Sequence, residues 1–477
     1  MTESSTAAQA ATTTQGFGQL PLPPALLANL EQLGYASMTP IQAAALPLAL
    51  AGHDLIAQAR TGSGKTAAFA LPLLARLDAA RLDVQALVLC PTRELAEQVT
   101  QQVRRLARAE SNVKVLNLSG GSPIKPQAES LAHGAHVVVG TPGRLLDHLE
   151  RGTLQLDALS TLVLDEADRM LDMGFFDDIA AVAAKCPRQR QTLLFSATYP
   201  EGIAKLAQRF LREPKEVKVA ERHAPGRIAE HWFEVTEDQR LHAVSQLLAH
   251  YRPQSSIAFC NTRQQCRDLV EVLRAQGIEA LALHGDLEQR DRDQVLIRFA
   301  GRSCSVLVAT DVAARGLDIE GLDAVINVDI SQDTQQHVHR IGRTGRADAT
   351  GLALNLASMD EMGRVGQIEQ QQGRESRWEK LAALQAAPGG VLQPPMHMLQ
   401  ILGGRKDKIR PGDVLGMLTG EGALQAAQVG RIHVGDYQTH VAVAREVAHA
   451  VVARLAQGKL KGRRVKLRLL QDAPEGA

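Results

Sequence analysis

DLIAQARTGSGKTAAFALPLLARL, Asp54 to Leu77, is the stretch that decides the fold. It passes from a short apolar strand through a glycine loop into an apolar helical pattern. Glycines let backbone N–H groups curl around phosphate oxygens, and a helix starting at the loop adds its N-terminal dipole. On this reading Thr61, Gly62, Ser63 and Gly64 form a phosphate cradle. Lys65 neutralises the β- and γ-phosphates, and Thr66 holds Mg2+ through its hydroxyl. The strict loop pattern asks for glycine at position 59, where this chain has alanine.

The same rhythm extends outward. ALVLCP, HVVVGT, TLVLDE and TLLFSA continue the series begun by DLIAQA, and SIAFCN, ALALHG, SVLVATD and AVINVD resume it. Short apolar runs, each followed by a turn and an amphipathic stretch, are the pattern of open parallel α/β sheets, here repeated twice. ALVLCPTRELAEQV and SIAFCNTRQQCRDLV both place Cys-x-Thr-Arg just past a strand, which suggests duplicated domains. A proline-containing stretch of mixed charge near 212–227 reads as a linker. The proline- and glycine-rich stretch Ala386–His397 reads as a second boundary. Beyond it MHMLQIL, PGDVLGMLTG, VGRIHV, QTHVAVA, REVAHAVVARLAQG and RRVKLRLL follow the order βαββαβ, that of a small α+β RRM-like module.

Composition narrows the class. At 477 residues, 45% hydrophobic and 22% charged, the chain suits two or three globular domains. Its five cysteines, Cys90, Cys186, Cys260, Cys266 and Cys304, show no C-x-x-C spacing, so reduced thiols in a cytoplasmic protein are expected rather than disulfides or zinc. No apolar run approaches the roughly 18 residues that span a bilayer. The first basic residue is Arg60, which argues against a signal peptide. From Gln400 onward there are 13 Lys/Arg against 7 Asp/Glu, and elsewhere 40 against 45. A basic tail behind a mildly acidic body suits a polyanion-binding module, or simply a solvated basic face.

LVLDEAD, Leu162–Asp168, delivers Asp165 and Glu166 at the end of an apolar strand. Asp165 suits Mg2+ binding, and Glu166 could deprotonate an attacking water. An acidic helix cap would account for the pair alone, but not for the phosphate loop some 100 residues upstream. In HRIGRTGR, His339–Arg346, three arginines recur at intervals of three. Guanidinium forks at Arg340, Arg343 and Arg346 suit phosphate oxygens.

These motifs, in this order, resemble the DEAD-box RNA helicases. Phe17 and GYASMTPIQ, ARTGSGKT, PTRELAEQ, SGG, TPGR, DEAD (Asp165–Asp168) and SAT (Ser196–Thr198) cover the first domain. FCNTR, HGDLEQRDR, ATDVAARGLD and HRIGRTGR cover the second. Alanine at 59 is normal in that family. The resemblance implies an ATP-dependent helicase that opens short RNA duplexes locally, with Mg2+ as cofactor. It implies two RecA-like domains, at 17–213 and 228–372. A disordered tail at 1–16, linkers at 214–227 and 373–398, and the RRM-like module at 399–477 complete the expected organisation.

Residue by residue, Tyr35 would stack on adenine and Gln42 would bond its edge, an amide being able to donate and accept at once. Asp318 would touch the ribose. Lys65, Asp165 and Glu166, with Arg343 and Arg346 as arginine fingers serving the same ATP, would carry catalysis. Asp168, Ser196, Thr198 and His339 would couple hydrolysis to RNA. Thr92, Arg93, Gly120, Gly121, Thr141, Gly143 and Arg144, then Arg263, Gly285 and Thr310, would line RNA on the face away from ATP. Aromatics are 3% of the chain, which disfavours a base-stacking channel.

The tail, with ILGGRKDKIRPGDVLGMLTG and GKLKGRRVKLRLL, resembles the DbpA subfamily. That implies targeting to a hairpin of 23S ribosomal RNA, in the hairpin 92 region, and a role in large-subunit assembly by a monomeric enzyme. MHMLQIL and QTHVAVA, expected as outer strands, lack the Phe/Tyr positions on which RRMs stack bases. Binding is therefore expected from two basic clusters. One is Arg405, Lys406, Lys408 and Arg410; the other is Lys459, Lys461, Arg463, Arg464, Lys466 and Arg468. Two other readings remain open here: a DNA helicase on the same core, and a general RNA helicase, chaperone or clamp without ribosomal specificity.

Overall fold

The structure, a computed structural model, describes residues 16–59, 62–110, 112–199, 201–219, 228–314, 321–345, 350–461 and 463–470. They fall into two compact units, divided near residue 222.

The first unit is built on seven parallel strands: β1 (Leu55–Gln58), β2 (Ala86–Leu89), β3 (Val115–Leu118), β4 (Val137–Gly140), β5 (Thr161–Leu164), β6 (Gln191–Ser196) and β7 (Lys215–Lys218), in the order β3-β4-β2-β5-β6-β1-β7. β2, β4 and β5 are buried along their whole length. Helices cover both sheet faces, so alternate side chains enter different cores. Ala57, Val88, Val139, Val163 and Phe195 enter one; Ile56, Leu87, Val138, Leu162 and Leu194 enter the other.

The second unit repeats the plan with β8 (Ile228–Glu234), β9 (Ser256–Cys260), β10 (Ala280–Leu283), β11 (Val306–Thr310), β12 (Ala324–Asn327), β13 (Gly351–Ala357) and β14 (Trp378–Glu379). Their order, β10-β11-β9-β12-β13-β8-β14, matches the first sheet strand for strand. The shared Cys-x-Thr-Arg marks equivalent places. Thr92 Oγ1 accepts from Leu95 N–H at 3.3 Å, and Thr262 Oγ1 from Gln265 N–H at 3.1 Å, each capping the helix that follows.

Both expected linkers are partly structured. Residues 215–218 form β7 and pair with β1. Trp378 and Glu379 pair with β8, and Leu392 is buried in the second unit's core. Edge strands like these are defined by backbone hydrogen bonds. KEVK buries only Val217, so no apolar run announces it.

The C-terminal module belongs to the second unit. β15 (Met396–Leu402), β16 (Val429–Val434) and β17 (Gln438–Ala444) make an antiparallel sheet, completed after the hairpin β18 (Lys459–Leu460)–β19 (Arg463–Arg464) by β20 (Leu467–Leu469). RRVKLRLL is thus two strands, not one. The order β16-β17-β15-β20 makes MHMLQIL and QTHVAVA central rather than outer. One sheet face (Leu399, Ile401, Val441, Val443) packs on the helices Pro411–Thr419 and Ala448–Arg454. On the other face Met398, Ala442 and Leu470 pack with Ile297, on the helix Gln289–Ala300 of the second parallel domain. Arg445 closes that contact on Glu279 at 2.8 Å. The fit is tight: a Cβ on Gly301 would lie 2.4 Å from Met398 Cε.

Candidate active site and nucleic-acid interface

The phosphate loop lies between β1 and the helix Lys65–Ala75. Gly62 and Gly64 have φ of +74° and +91°, which only glycine adopts without strain. Gly64 must also be bare: a Cβ there would lie 2.5 Å from Gln42 Nε2. Gln42 Nε2 donates to Gly64 O at 3.1 Å, and its Oε1 accepts from Thr39 N–H at 2.9 Å, so the side chain braces the loop. Tyr35 meets the Phe17 ring edge-on at 6.0 Å, and its hydroxyl accepts from Gln102 Nε2 at 3.2 Å.

Next to the loop, β5 carries Asp165 and Glu166. Lys65 and Asp165 are 6% and 3% exposed, yet Lys65 Nζ and Asp165 Oδ1 have no hydrogen-bond partner. Buried polar atoms are nearly always paired, so two orphans side by side fit absent phosphate oxygens and a cation. Burial, opposed by Lys65 and reinforced by Glu166, raises the Asp165 pKa to about 6. Glu166 adopts φ +51°, a left-handed conformation uncommon for a residue with a side chain. Its Oε2 accepts from Arg169 at 2.6 Å, a buried pair that the sequence reading missed because Arg169 belongs to no motif.

Asp168 joins this strand to β6. Its Oδ2 accepts from Ala197 N–H at 3.1 Å, Thr198 N–H at 2.9 Å and Thr198 Oγ1 at 2.9 Å; Ser196 Oγ donates to Thr198 O at 2.6 Å. The structure therefore brings Asp168, Ser196 and Thr198 together beside the phosphate loop.

In the second unit, the grouping of three arginines is corrected. Arg340 is 2% exposed and holds Asp311 in a fork at 2.7 and 2.5 Å. Its remaining three donors reach Asn327 Oδ1, Asp329 O and Asn261 Oδ1, with the guanidinium over the Phe259 ring. It ties strand ends together and has no donor left for phosphate. Arg343 is half-buried and His339 exposed, on and just after the helix Thr334–Ile341. Thr61, Asp318 and Arg346 lie outside the described residues.

The remaining candidates gather at strand ends. Thr92–Arg93, Gly120–Gly121 and Thr141–Arg144 follow the neighbouring strands β2, β3 and β4; Arg263, Gly285 and Thr310 follow or end β9, β10 and β11, the matching trio. In the first unit this set shares the sheet's carboxyl edge with the phosphate loop. It is set apart by strand order rather than on an opposite face. Arg93 packs on Gly120, where a Cβ would lie 3.2 Å from its guanidinium. Arg263 and Arg267 share Asp286, next to the open Gly285.

In the module, Lys461 of one basic cluster donates to Lys408 O of the other at 2.6 Å and pairs with Asp413 at 3.0 Å, so the clusters meet. Lys406, Lys408 and Arg410 are exposed. Arg405 is paired with Asp436. The side chains of Lys459 and Arg463 fall outside the described ones. Among the described residues no group of three or more metal-ligating side chains occurs, and no helix is long and apolar enough to cross a membrane.

Comparison with known proteins agrees with this geometry. Residues 39–206 match the DEAD/DEAH box helicase model, 239–348 the helicase conserved C-terminal domain, and 398–469 the DbpA RNA binding domain. The chain belongs to the DEAD-box family and is an ATP-dependent RNA helicase. Within that family it falls in the DbpA subfamily. It is 50% identical to the ATP-dependent RNA helicase DbpA of Escherichia coli K12 over 94% of this chain and 98% of that one. The DEAD-box ATP-dependent RNA helicase CshA of Geobacillus kaustophilus is 44% identical, over 78% of this chain and 80% of its own. Saccharomyces cerevisiae Dbp5, solved with RNA and ADP BeF3, superposes with a TM-score of 0.70 at 30% identity, over 77% of this chain and 96% of that one.

Proposed function

We propose that this helicase is directed by its C-terminal module to a hairpin of 23S ribosomal RNA, in the hairpin 92 region, and acts on large-subunit precursors in the cytoplasm as a monomer. The observation that carries the reading is the meeting of two basic clusters through Lys461 and Lys408 on a module of the DbpA RNA-binding type. Lys406, Lys408 and Arg410 are exposed beside that meeting point, and clustered cations suit the phosphates of a structured RNA.

For the chemistry, Lys65 and the loop would bind the ATP phosphates, and Thr66 and Asp165 would hold Mg2+, which when bound would supply charge neutralisation at the phosphates. Tyr35 and Gln42 select adenine and Asp318 the ribose. Glu166 orients and deprotonates the water, and Arg343 and Arg346 stabilise the transferring phosphoryl group. Asp168, Ser196, Thr198 and His339 relay the nucleotide state to RNA. The residues at the ends of β2–β4 and β9–β11 contact the RNA backbone.

The test is steady-state ATPase activity with no RNA, poly(A), a ribosomal fragment carrying the hairpin, or the same fragment with that hairpin scrambled. Strong stimulation by the intact fragment alone is expected. Equal stimulation by every RNA would leave a general RNA helicase with a nonspecific tail.

A further inference from the structure

Gln127 belongs to none of the motifs and lies on the helix Ile124–Ala132, yet its amide joins two of the strand-end segments, those that follow β3 and β4. Nε2 donates to Ser119 O and to Ser122 Oγ, both at 3.0 Å, across the two glycines Gly120 and Gly121. Oε1 accepts from Arg144 at 2.8 Å and lies 3.0 Å from His148 Nε2. An amide has two donors and two acceptor sites, and here all four are used, which fixes the orientation of the group.

The chain of bonds continues inward. With Oε1 as acceptor, His148 Nε2 carries the proton, and Nδ1, 2.8 Å from Thr153 Oγ1, accepts from that hydroxyl. His148 is fully buried, and burial with the nearby Arg144 holds its pKa below the ordinary value, consistent with a neutral ring. Arg144 is bonded a second time, to Ser122 O at 3.0 Å. The glycine loop and Arg144 therefore share one anchor, itself backed by a buried imidazole.

We propose that Gln127 is a positioning residue for RNA: it holds the Gly120–Gly121 loop and the Arg144 guanidinium in one register, so that both meet successive backbone phosphates together. This rests on the reading of Gly120, Gly121 and Arg144 as RNA contacts. The two glycines leave the loop free of side chains of its own, so a remote amide takes over the task of setting its shape. The ligand class is the ribose-phosphate backbone, without base preference.

The experiment is a double-mutant cycle on the full-length enzyme, reading KM for RNA, kcat and RNA-free ATP affinity. Gln127→Ala should raise KM for RNA about tenfold, the scale of one hydrogen bond to a charged group, with kcat and ATP affinity unchanged. Gln127→Glu keeps the acceptor toward Arg144 and removes the donors toward the loop, and should fall between. In an Arg144→Ala background Gln127→Ala should cost less than it does alone, because part of its effect runs through Arg144 and the rest through the glycine loop. Full additivity of the two substitutions, or an unchanged KM for Gln127→Ala while Arg144→Ala raises it, overturns the positioning role. If Arg144→Ala leaves KM for RNA unchanged, the reading of the surface itself fails. Equal loss of ATP affinity and RNA affinity would mark a general destabilisation and also overturn the proposal.

Discussion

Asp165 and Lys65 are buried and interact electrostatically, each with a polar atom left unpaired, and such sites trade stability for function. An acid whose pKa rises from 3.8 to about 6 on folding binds more protons folded than unfolded across that interval. Stability from this group therefore falls as pH rises from about 4 to 6, and the penalty is complete above 6. Asp165→Asn should stabilise the nucleotide-free protein at pH 7, by at most about 3 kcal/mol, and change little at pH 4. Urea unfolding at the two pH values measures it, and equal stabilisation at both would contradict the assignment.

Arg340 makes the opposite case at the same scale. Its charge is matched by Asp311 and its donors by carbonyl and amide oxygens, so removing it strands a half-buried carboxylate and leaves a cavity where the guanidinium was. Arg340→Ala should cost about 3–5 kcal/mol, read as an early unfolding transition of the second unit in urea. A loss of activity without loss of stability would return Arg340 to the phosphate role suggested by its spacing. That spacing was legible in the sequence, but burial was not. Position 340 looks the same as 343 until the helix Thr334–Ile341 turns one inward. Lys65, Asp165 and Asp168 were legible because a glycine loop and strand-end acids occur together mainly where a nucleotide is held. Arg169 and Gln127 were not, because a lone polar residue between motifs can serve many ends.

Among the elements, those buried on both faces declared themselves. β2, β4, β5, β9 and β11 are dominated by Val, Leu, Ile, Ala and Phe, as strands buried on both faces are. β7 and β14 did not, since an edge strand needs partners for its backbone and little else. The repeated Thr-Arg did declare two helix starts. Thr92→Ala and Thr262→Ala should each cost about 1 kcal/mol, the usual worth of a helix cap, seen as a lower melting temperature of the unit concerned. Serine at either position should restore most of it. If Thr92 serves RNA alone, its alanine variant will melt like the parent.

On the scale of the whole molecule, charge separates the tasks. The tail carries a positive excess that the body lacks, and its two clusters meet at Lys461. Changing Lys406, Lys408 and Arg410 together to alanine should weaken binding of the ribosomal hairpin. It should also flatten the plot of log affinity against log salt by about 2–3, close to one for each phosphate that is no longer neutralised. Weaker affinity with the same slope would mean these cations support the fold of the module rather than grip RNA.

The contact of Met398, Ala442 and Leu470 with Ile297, locked by Arg445 and Glu279, has a consequence for reach. A domain on a loose string offers its cargo to the rest of the protein at every distance the string allows, and selects none of them. A domain bolted to its neighbour acts as a ruler. If the tail grips a hairpin as proposed, that RNA would stand at a set distance and angle from the strand ends of β9–β11, and a duplex would be presented only if it branched from the hairpin at that span. Selection of substrate would then depend as much on the architecture of the RNA as on its sequence.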